Sequence, residues 1–257
     1  MLRAGVRDRL SPPRPDSVAH VPFGTFCHIA SLLRDTGLRR WTGPFDWIFS
    51  TPGLLADCLD DDFAAFLDPA HLRSVPEAEL TGGAKRQCRH LLFEERYGLP
   101  VLFNHHDPVA SASDRESFER AVSRFRTALR SGRTVLYSMS ERRWPEAEWE
   151  RLAAALARYP DPMGTRGAPP IGLAVTSPAM TREMMRLVVV TVEGGKMQRS
   201  WRTEERRIGD VPSTFVDVGT LTRSIGVRFQ DPEDDAYLRR ILPPLARAME
   251  QGLRPAV

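Results

Sequence analysis

Short apolar runs alternate with long amphipathic segments between residues 101 and 177, and this alternation limits the fold more than any other feature of the chain. "VLF" at 101–103 reads as a short buried strand that ends before Pro108, because proline cannot donate into a strand ladder. "SDRESFERAVSRFRTALRSG" reads as a helix with Phe118, Val122, Phe125 and Leu129 on one face and Ser113 or Asp114 as its cap. "RTVLYSMS" is the next strand, "PEAEWERLAAALARY" the next helix and "PIGLAVTS" a third strand. Strands separated by helices are joined by crossovers, which place them parallel in one sheet. Beyond them, "MRLVVVTVEG", "KMQRSWRTE", "STFVDVG" and "SIGVRF" follow closely enough to add antiparallel strands, with "VEGGK" at 192–196 as a hairpin turn. The expected fold is one α/β domain over residues 19–252, a mixed, mostly parallel sheet flanked by helices, either Rossmann-like or a papain-like variant.

The first 18 residues, rich in Arg and Pro, read as a disordered tail. An apolar entry, "VAHVPF", leads to a turn at Gly24-Thr25 and then to a helix carrying Ile29, Leu32 and Leu33, with Gly37 as its stop. "TPGLLADCLDDDFAAFLD" is a second helix, capped by Thr51 with Pro52 at its first position. Cys58 falls on the apolar stripe of that helix and reads as a core residue. At the other end Asp231 and Pro232 open a terminal helix.

Composition narrows the function. Hydrophobic residues make up 42% and charged residues 27% of the chain, a globular balance, and the net charge of +3 argues weakly for any polyanionic partner. Lysine occurs only at Lys85 and Lys196, and the many arginines form no long basic run, so no nucleic-acid partner is expected. Three widely spaced cysteines provide neither a disulfide framework nor a CxxC pair. With no apolar leader and no membrane-length apolar run, a cytoplasmic protein without a membrane partner is expected. His71, His90, His105 and Asp107 have no metal-ligand spacing, and no phosphate-binding loop follows a strand. Neither a metal nor a cofactor is expected.

Cys27, in "VPFGTFCHIASLLRDTG", has two readings. As a small apolar residue it packs. At a helix start, unpaired N–H groups and the helix dipole would favour its thiolate and could also stabilise an oxyanion. His28 projects about 100° around the helix from it and is badly placed as its base. Better placed is "FNHHD", where His105 and Asp107 would share a face of a continuing strand as base and orienting carboxylate. His106 takes the base role instead if the chain turns before Pro108. Asp46 and Trp47, in "GPFDWIFS", either close a core corner, with the carboxylate capping a turn or pairing with an arginine, or line the Cys27 pocket as substrate-binding residues.

"FGTFCHIASLLRDTGLRRWTGPFDWIFSTPGLLADCLDDDFAAFLDP" followed by "VLFNHHDP" resembles a bacterial family called "putative papain-like cysteine peptidase". Its members carry a block of the form "LG.NC..A..L...GLR....PFDW..S", then "DF..FL", then a His-Asp pair after a short apolar run. The likeness covers residues 20–110 well and "GVRFQDPEDDAYLRRIL" more loosely. It implies Cys27 as nucleophile and His106, directly before Asp107, as base, with Asp107 or Asp217 as third member. The glutamine that papain-like enzymes carry shortly before the cysteine is missing from residues 15–26. The function expected is a cysteine hydrolase, peptidase or acyl transferase, acting on a peptide or small-molecule substrate. The competing expectation is a non-catalytic α/β protein binding a small polar ligand such as a sugar or nucleotide.

Overall fold

A computed structural model describes residues 17–159 and 185–251. Its centre is a five-stranded sheet in the order β1 (Ala19–Gly24), β4 (Thr134–Ser140), β5 (Met185–Glu193), β7 (Val211–Gly219), β6 (Ser200–Ile208). The first four run parallel, and β6 is antiparallel to β7 at the edge. This is the expected mixed, mostly parallel α/β sheet. A two-stranded ribbon, β2 (Leu72–Ser74) with β3 (Cys88–His90), lies along the chain between the second helix and the 101–103 segment.

The first parallel partner of β4 differs from the expected one. "VLF" at 101–103 contributes only an isolated bridge, Phe103 to Cys88, because three residues behind Pro100 cannot carry a ladder. The partner is β1, the "AHVPFG" segment, all six residues of which are buried. Nor do β5 and β6 form a hairpin around "VEGGK", since β7 lies between them. The hairpin joins β6 to β7, with Ile208 opposite Val211. "SIGVRF" is reduced to one bridge, Ser224 to Phe229. "PIGLAVTS" and the loop at 161–170 lie outside the described residues.

Strand alternation puts a core on each face. Val135, Tyr137 and Met139 pack with Val188, Val190 and Val192 beneath helices α1 (His28–Asp35) and α6 (Pro232–Gln251). Leu136, Leu187 and Val189 face the opposite core, under α2 (Pro52–Asp60), α4 (Ala112–Ser131) and α5 (Glu146–Arg158). The short α3 (Leu91–Tyr97) follows β3. Thr51 caps α2 through Leu54 N at 3.0 Å, with Pro52 in its first turn as expected. Helix α4 is capped by Ser111, two residues before the nearer of the expected caps, Ser113 and Asp114. Asp231 accepts from Glu233 N at 2.9 Å at the start of α6. Edge strand β6, "SWRTEERRI", is exposed over nearly its whole length, and its alternating charges discourage a further strand from adding there. No helix among the described residues is long and apolar enough to cross a membrane.

Phe45, Phe63, Phe66, Phe103, Phe118 and Phe125 meet in one cluster below α4, with ring centroids 4.8 Å apart for Phe103–Phe118 and 5.7 Å for Phe45–Phe125. Aromatic pairs of this kind contribute about 0.5–1.5 kcal/mol each beyond their buried area. "PFDW", "DFAAF" and "VLF", far apart in sequence, therefore converge on a single apolar centre.

Candidate active site

Strand β1 ends at Gly24, and the chain turns at once into α1. Gly24 has φ +125, a conformation that glycine adopts without strain, and a Cβ there would overlap the Ser50 hydroxyl. The turn is held on both sides. Thr25 donates to Met139 O from its backbone N at 2.9 Å and from Oγ1 at 3.1 Å. Ser50 donates from N to Thr25 O at 3.2 Å and from Oγ to Phe23 O.

Cys27 is the N-cap residue of α1, with its backbone already helical and its carbonyl accepting from Ser31 N at 3.1 Å. It is 5% exposed. Burial pushes the thiol up to about 11, the favourable backbone hydrogen bond works against that rise, and the Asp46 carboxylate adds to it. Burial therefore outweighs the backbone hydrogen bond at the helix start, and the balance favours the thiol over the thiolate. Cys58 and Cys88 are buried thiols as well, and burial raises both, Cys58 as part of the core.

Asp46 is ion-paired with Arg39, and both side chains are buried. The Trp47 ring lies under two guanidiniums, with Arg39 Cζ 5.2 Å and Arg34 Cζ 5.9 Å from its centroid. The carboxylate thus pairs with an arginine beside the cysteine turn, the arrangement that the core-corner reading expects.

His105, His106 and Asp107 sit in the connection between Phe103 and α4, not at the end of a sheet strand. His105 Nε2 lies 3.2 Å from Asn104 Nδ2, and burial followed by the neighbouring His106 lowers its pKa. His106 Nδ1 lies 3.3 Å from Asp114 Oδ1, and its ring stands edge-on to Phe118 at 5.4 Å. Asp107, 4% exposed, accepts from Val109 N at 2.9 Å and Ala110 N at 3.0 Å, so its carboxylate closes the turn into α4. The carboxylate beside His106 is therefore Asp114, which periodicity shows only as a helix-start residue. Asp217 is held by Arg143 at 2.6 Å and Arg202 at 2.9 Å.

Two backbone bonds connect the cysteine turn to the histidine segment. Ser50 N reaches Thr25 O, and Phe49 N reaches Leu102 O, each at 3.2 Å. The segment 49–50 is thus a shared strut, with the Cys27 turn on one side and the start of "LFNHH" on the other. His28, next to Cys27, is directed elsewhere: it pairs with Ser224 and Asp235. Among the described residues, no group of three or more His, Cys, Asp or Glu side chains is arranged to hold a metal ion.

A family model described as "Putative papain-like cysteine peptidase" matches residues 18–158. This span runs from β1 through α5 and includes the cysteine turn, the aromatic cluster and the histidine segment. No curated protein and no solved structure matches the chain.

Proposed function

The chain belongs to the family described as "Putative papain-like cysteine peptidase", and we propose that it is a thiol hydrolase or acyl transferase in which Cys27 attacks a carbonyl and a histidine of the 105–106 pair takes its proton. The observation that carries this reading is the shared strut at Phe49 and Ser50, which ties the cysteine turn and the histidine segment to adjacent backbone positions. Because the resting thiol is neutral, the histidine acts as a general base during attack, without a standing thiolate–imidazolium pair. His106 has a carboxylate at hand in Asp114 to orient its ring, with Asp107 shaping the loop. Asp46, paired with Arg39, braces the cysteine turn, and half-buried Trp47 beside it is the residue of this pair that would meet a substrate. Expected surroundings are an aqueous compartment and a peptide or small-molecule substrate, with no cofactor.

The test is the rate of Cys27 alkylation by iodoacetamide against pH, mapped by mass spectrometry with Cys58 and Cys88 as internal references. A cysteine served by a base shows an inflection well below the pH at which its own thiol ionises, and that inflection disappears in His105→Ala or His106→Ala. A rate that climbs only toward pH 11 and is unchanged in both variants ends the reading. One observation favours the second reading, a binding protein for a small polar ligand: a thiol 5% exposed and raised to about 11 is what a packing cysteine shows. That second outcome of the alkylation experiment would establish it in place of the enzyme.

A further inference from the structure

His28, the first residue of α1, is completely buried, and both its ring nitrogens are engaged by side chains about two hundred positions away. Nε2 lies 2.6 Å from Asp235 Oδ1, and Nδ1 lies 2.8 Å from Ser224 Oγ. Asp235 is held in turn by Phe229 N, which donates to its Oδ2 at 3.2 Å, and the Phe229 ring stands edge-on to the imidazole at 4.6 Å. Burial lowers the imidazole's pKa, against the opposing pull of Asp235, and so favours the neutral ring. A neutral ring that gives its Nε2 proton to the carboxylate has a bare Nδ1, which accepts from the Ser224 hydroxyl. This is the shorter of that hydroxyl's two acceptor contacts, 2.8 Å against 3.4 Å to Arg228 O, while Gly226 N donates to the same oxygen at 3.2 Å. Nucleophile, base and orienting carboxylate thus stand in one hydrogen-bonded line. The two nitrogens are used in the opposite sense to the common serine-hydrolase arrangement, but the chemistry requires only that one face the hydroxyl and the other the carboxylate.

Ser224 is the accessible end of this line. It sits half-buried in the connection between β7 and α6, beyond the carboxyl ends of the parallel strands, where ligand sites of open α/β sheets lie. Its backbone N donates at 2.8 Å to Glu141, and Glu141, though not Ser224 itself, lines a neighbouring cavity of about 620 Å³ at the same end of the sheet. Arg143, Lys196 and Arg202 in that lining are balanced by Glu141, Glu193 and Asp217. Several of these charges are already paired with one another. The exposed ring of Trp201 adds an apolar face to the cavity. A charge-balanced cavity with one aromatic wall suits an uncharged ligand.

We propose that Ser224, His28 and Asp235 form a second nucleophilic site, distinct from Cys27, that transfers the acyl group of an uncharged carboxylic ester. Ser224 Oγ bonds to the carbonyl carbon as its proton passes to His28 Nδ1. The tetrahedral intermediate expels the alcohol, which takes that proton as it leaves. Water then attacks the acyl-serine, gives a proton to His28 and releases the carboxylic acid, and the proton returns to Ser224. Asp235 holds the Nε2 proton throughout and orients the ring.

The experiment labels the full chain with an alkyl fluorophosphonate and locates the adduct by mass spectrometry. Expected is a Ser224 adduct in the folded chain forming about a hundredfold faster than in the urea-unfolded chain. It should persist in Cys27→Ser, vanish in Ser224→Ala and slow in Asp235→Asn, with a thermal melt to establish that each variant is folded. Absence of a Ser224 adduct in the wild-type folded chain, or an equal rate in the unfolded one, overturns the proposal and leaves His28 as a clamp between α1 and α6. In hydrolysis of 4-nitrophenyl acetate, Ser224→Ala removes this site's share and Cys27→Ser the thiol's. A loss in Ser224→Ala that persists in the Cys27→Ser background therefore supports the serine, and no loss in Ser224→Ala overturns it whatever Cys27→Ser does.

Discussion

Arg39 donates through Nη1 to Asp46 Oδ2 with 4% and 0% of the two side chains exposed, a buried ion pair beside the cysteine turn. Breaking such a pair from one side leaves a charge stranded out of water, which costs about 3–5 kcal/mol. Asp46→Asn should therefore lower unfolding free energy by about that much in urea titration, and it should also shift Cys27 alkylation to lower pH, because the carboxylate raises the thiol. Replacing both partners with apolar residues should recover much of the loss. A single-variant cost below about 1 kcal/mol would show that water reaches the pair.

Gly24 permits the turn that carries Cys27. Alanine there would have to adopt φ +125 and place its Cβ on the Ser50 hydroxyl, which is hydrogen-bonded to Phe23 O. A strained residue of this kind costs about 1–3 kcal/mol. Gly24→Ala should lower stability by at least that amount and raise the alkylation rate of Cys27 as the turn opens. Gly37→Ala, where a Cβ meets no atom within 4 Å, provides a comparison with a positive φ of +72 but no overlap, and should cost less.

Local pattern made much of this fold legible. Runs such as "MRLVVVTVEG" and the stripe of Phe118, Val122, Phe125 and Leu129 announce β5 and α4 because burial imposes the strand and helix periods directly on the sequence. The misread elements depend on distant partners. β1 is a six-residue segment containing Pro22 and Gly24, and it becomes a strand only through Thr134–Ser138, more than a hundred residues on. The insertion of β7 between β5 and β6 is likewise a tertiary choice. In the candidate site, "PFDW" was legible as a core corner with an arginine-paired aspartate, but which arginine, and which aromatic rings its phenylalanine would join, were tertiary choices. The pairing of His28 with Ser224 and Asp235 spans 196 and 207 positions and left no local trace.

His90 couples fold to pH. Its Nδ1 accepts from Phe93 N at 3.3 Å, capping α3, while Nε2 lies 3.0 Å from Ala65 O, so the neutral ring uses both nitrogens. Burial lowers its pKa to about 4, against the favourable Ala65 contact. Since the folded value lies below the unfolded one, the unfolded chain binds the proton first on acidification. The stabilisation is therefore complete above pH 6.5 and declines as pH falls toward 4, by about 1.4 kcal/mol per pH unit. His20 and His28, also lowered by burial, act in the same direction. Urea midpoints at pH 7 and pH 5 measure the slope. His90→Asn keeps a capping acceptor without the titration and should flatten it, whereas an unchanged slope would remove His90 as its source.

Asp57 on α2 gathers three partners from two other helices: Tyr97 Oη at 2.7 Å, Arg96 Nη1 at 2.8 Å and Arg151 Nη2. Burial would raise its pKa, but the hydrogen bonds from Tyr97, Arg96 and Arg151 outweigh it and hold the carboxyl below its usual range. The linkage runs opposite in sense to that of His90: stabilisation is present above the unfolded carboxylate value of about 3.9 and is lost as pH falls through the lower folded one. Both arginines are about half exposed, so solvent screens part of the attraction and the net value is modest. Asp57→Ala should cost about 1–3 kcal/mol at pH 7, chiefly by loosening α3 and α5 against α2, since the Tyr97 hydroxyl keeps Arg151 at 3.0 Å. Tyr97→Phe removes one of the three bonds and should cost less, about 1 kcal/mol. If Asp57→Ala and Tyr97→Phe were equally costly in urea titration, the two arginines would contribute nothing at this junction, and the packing of α2 against α5 would rest on apolar contact alone.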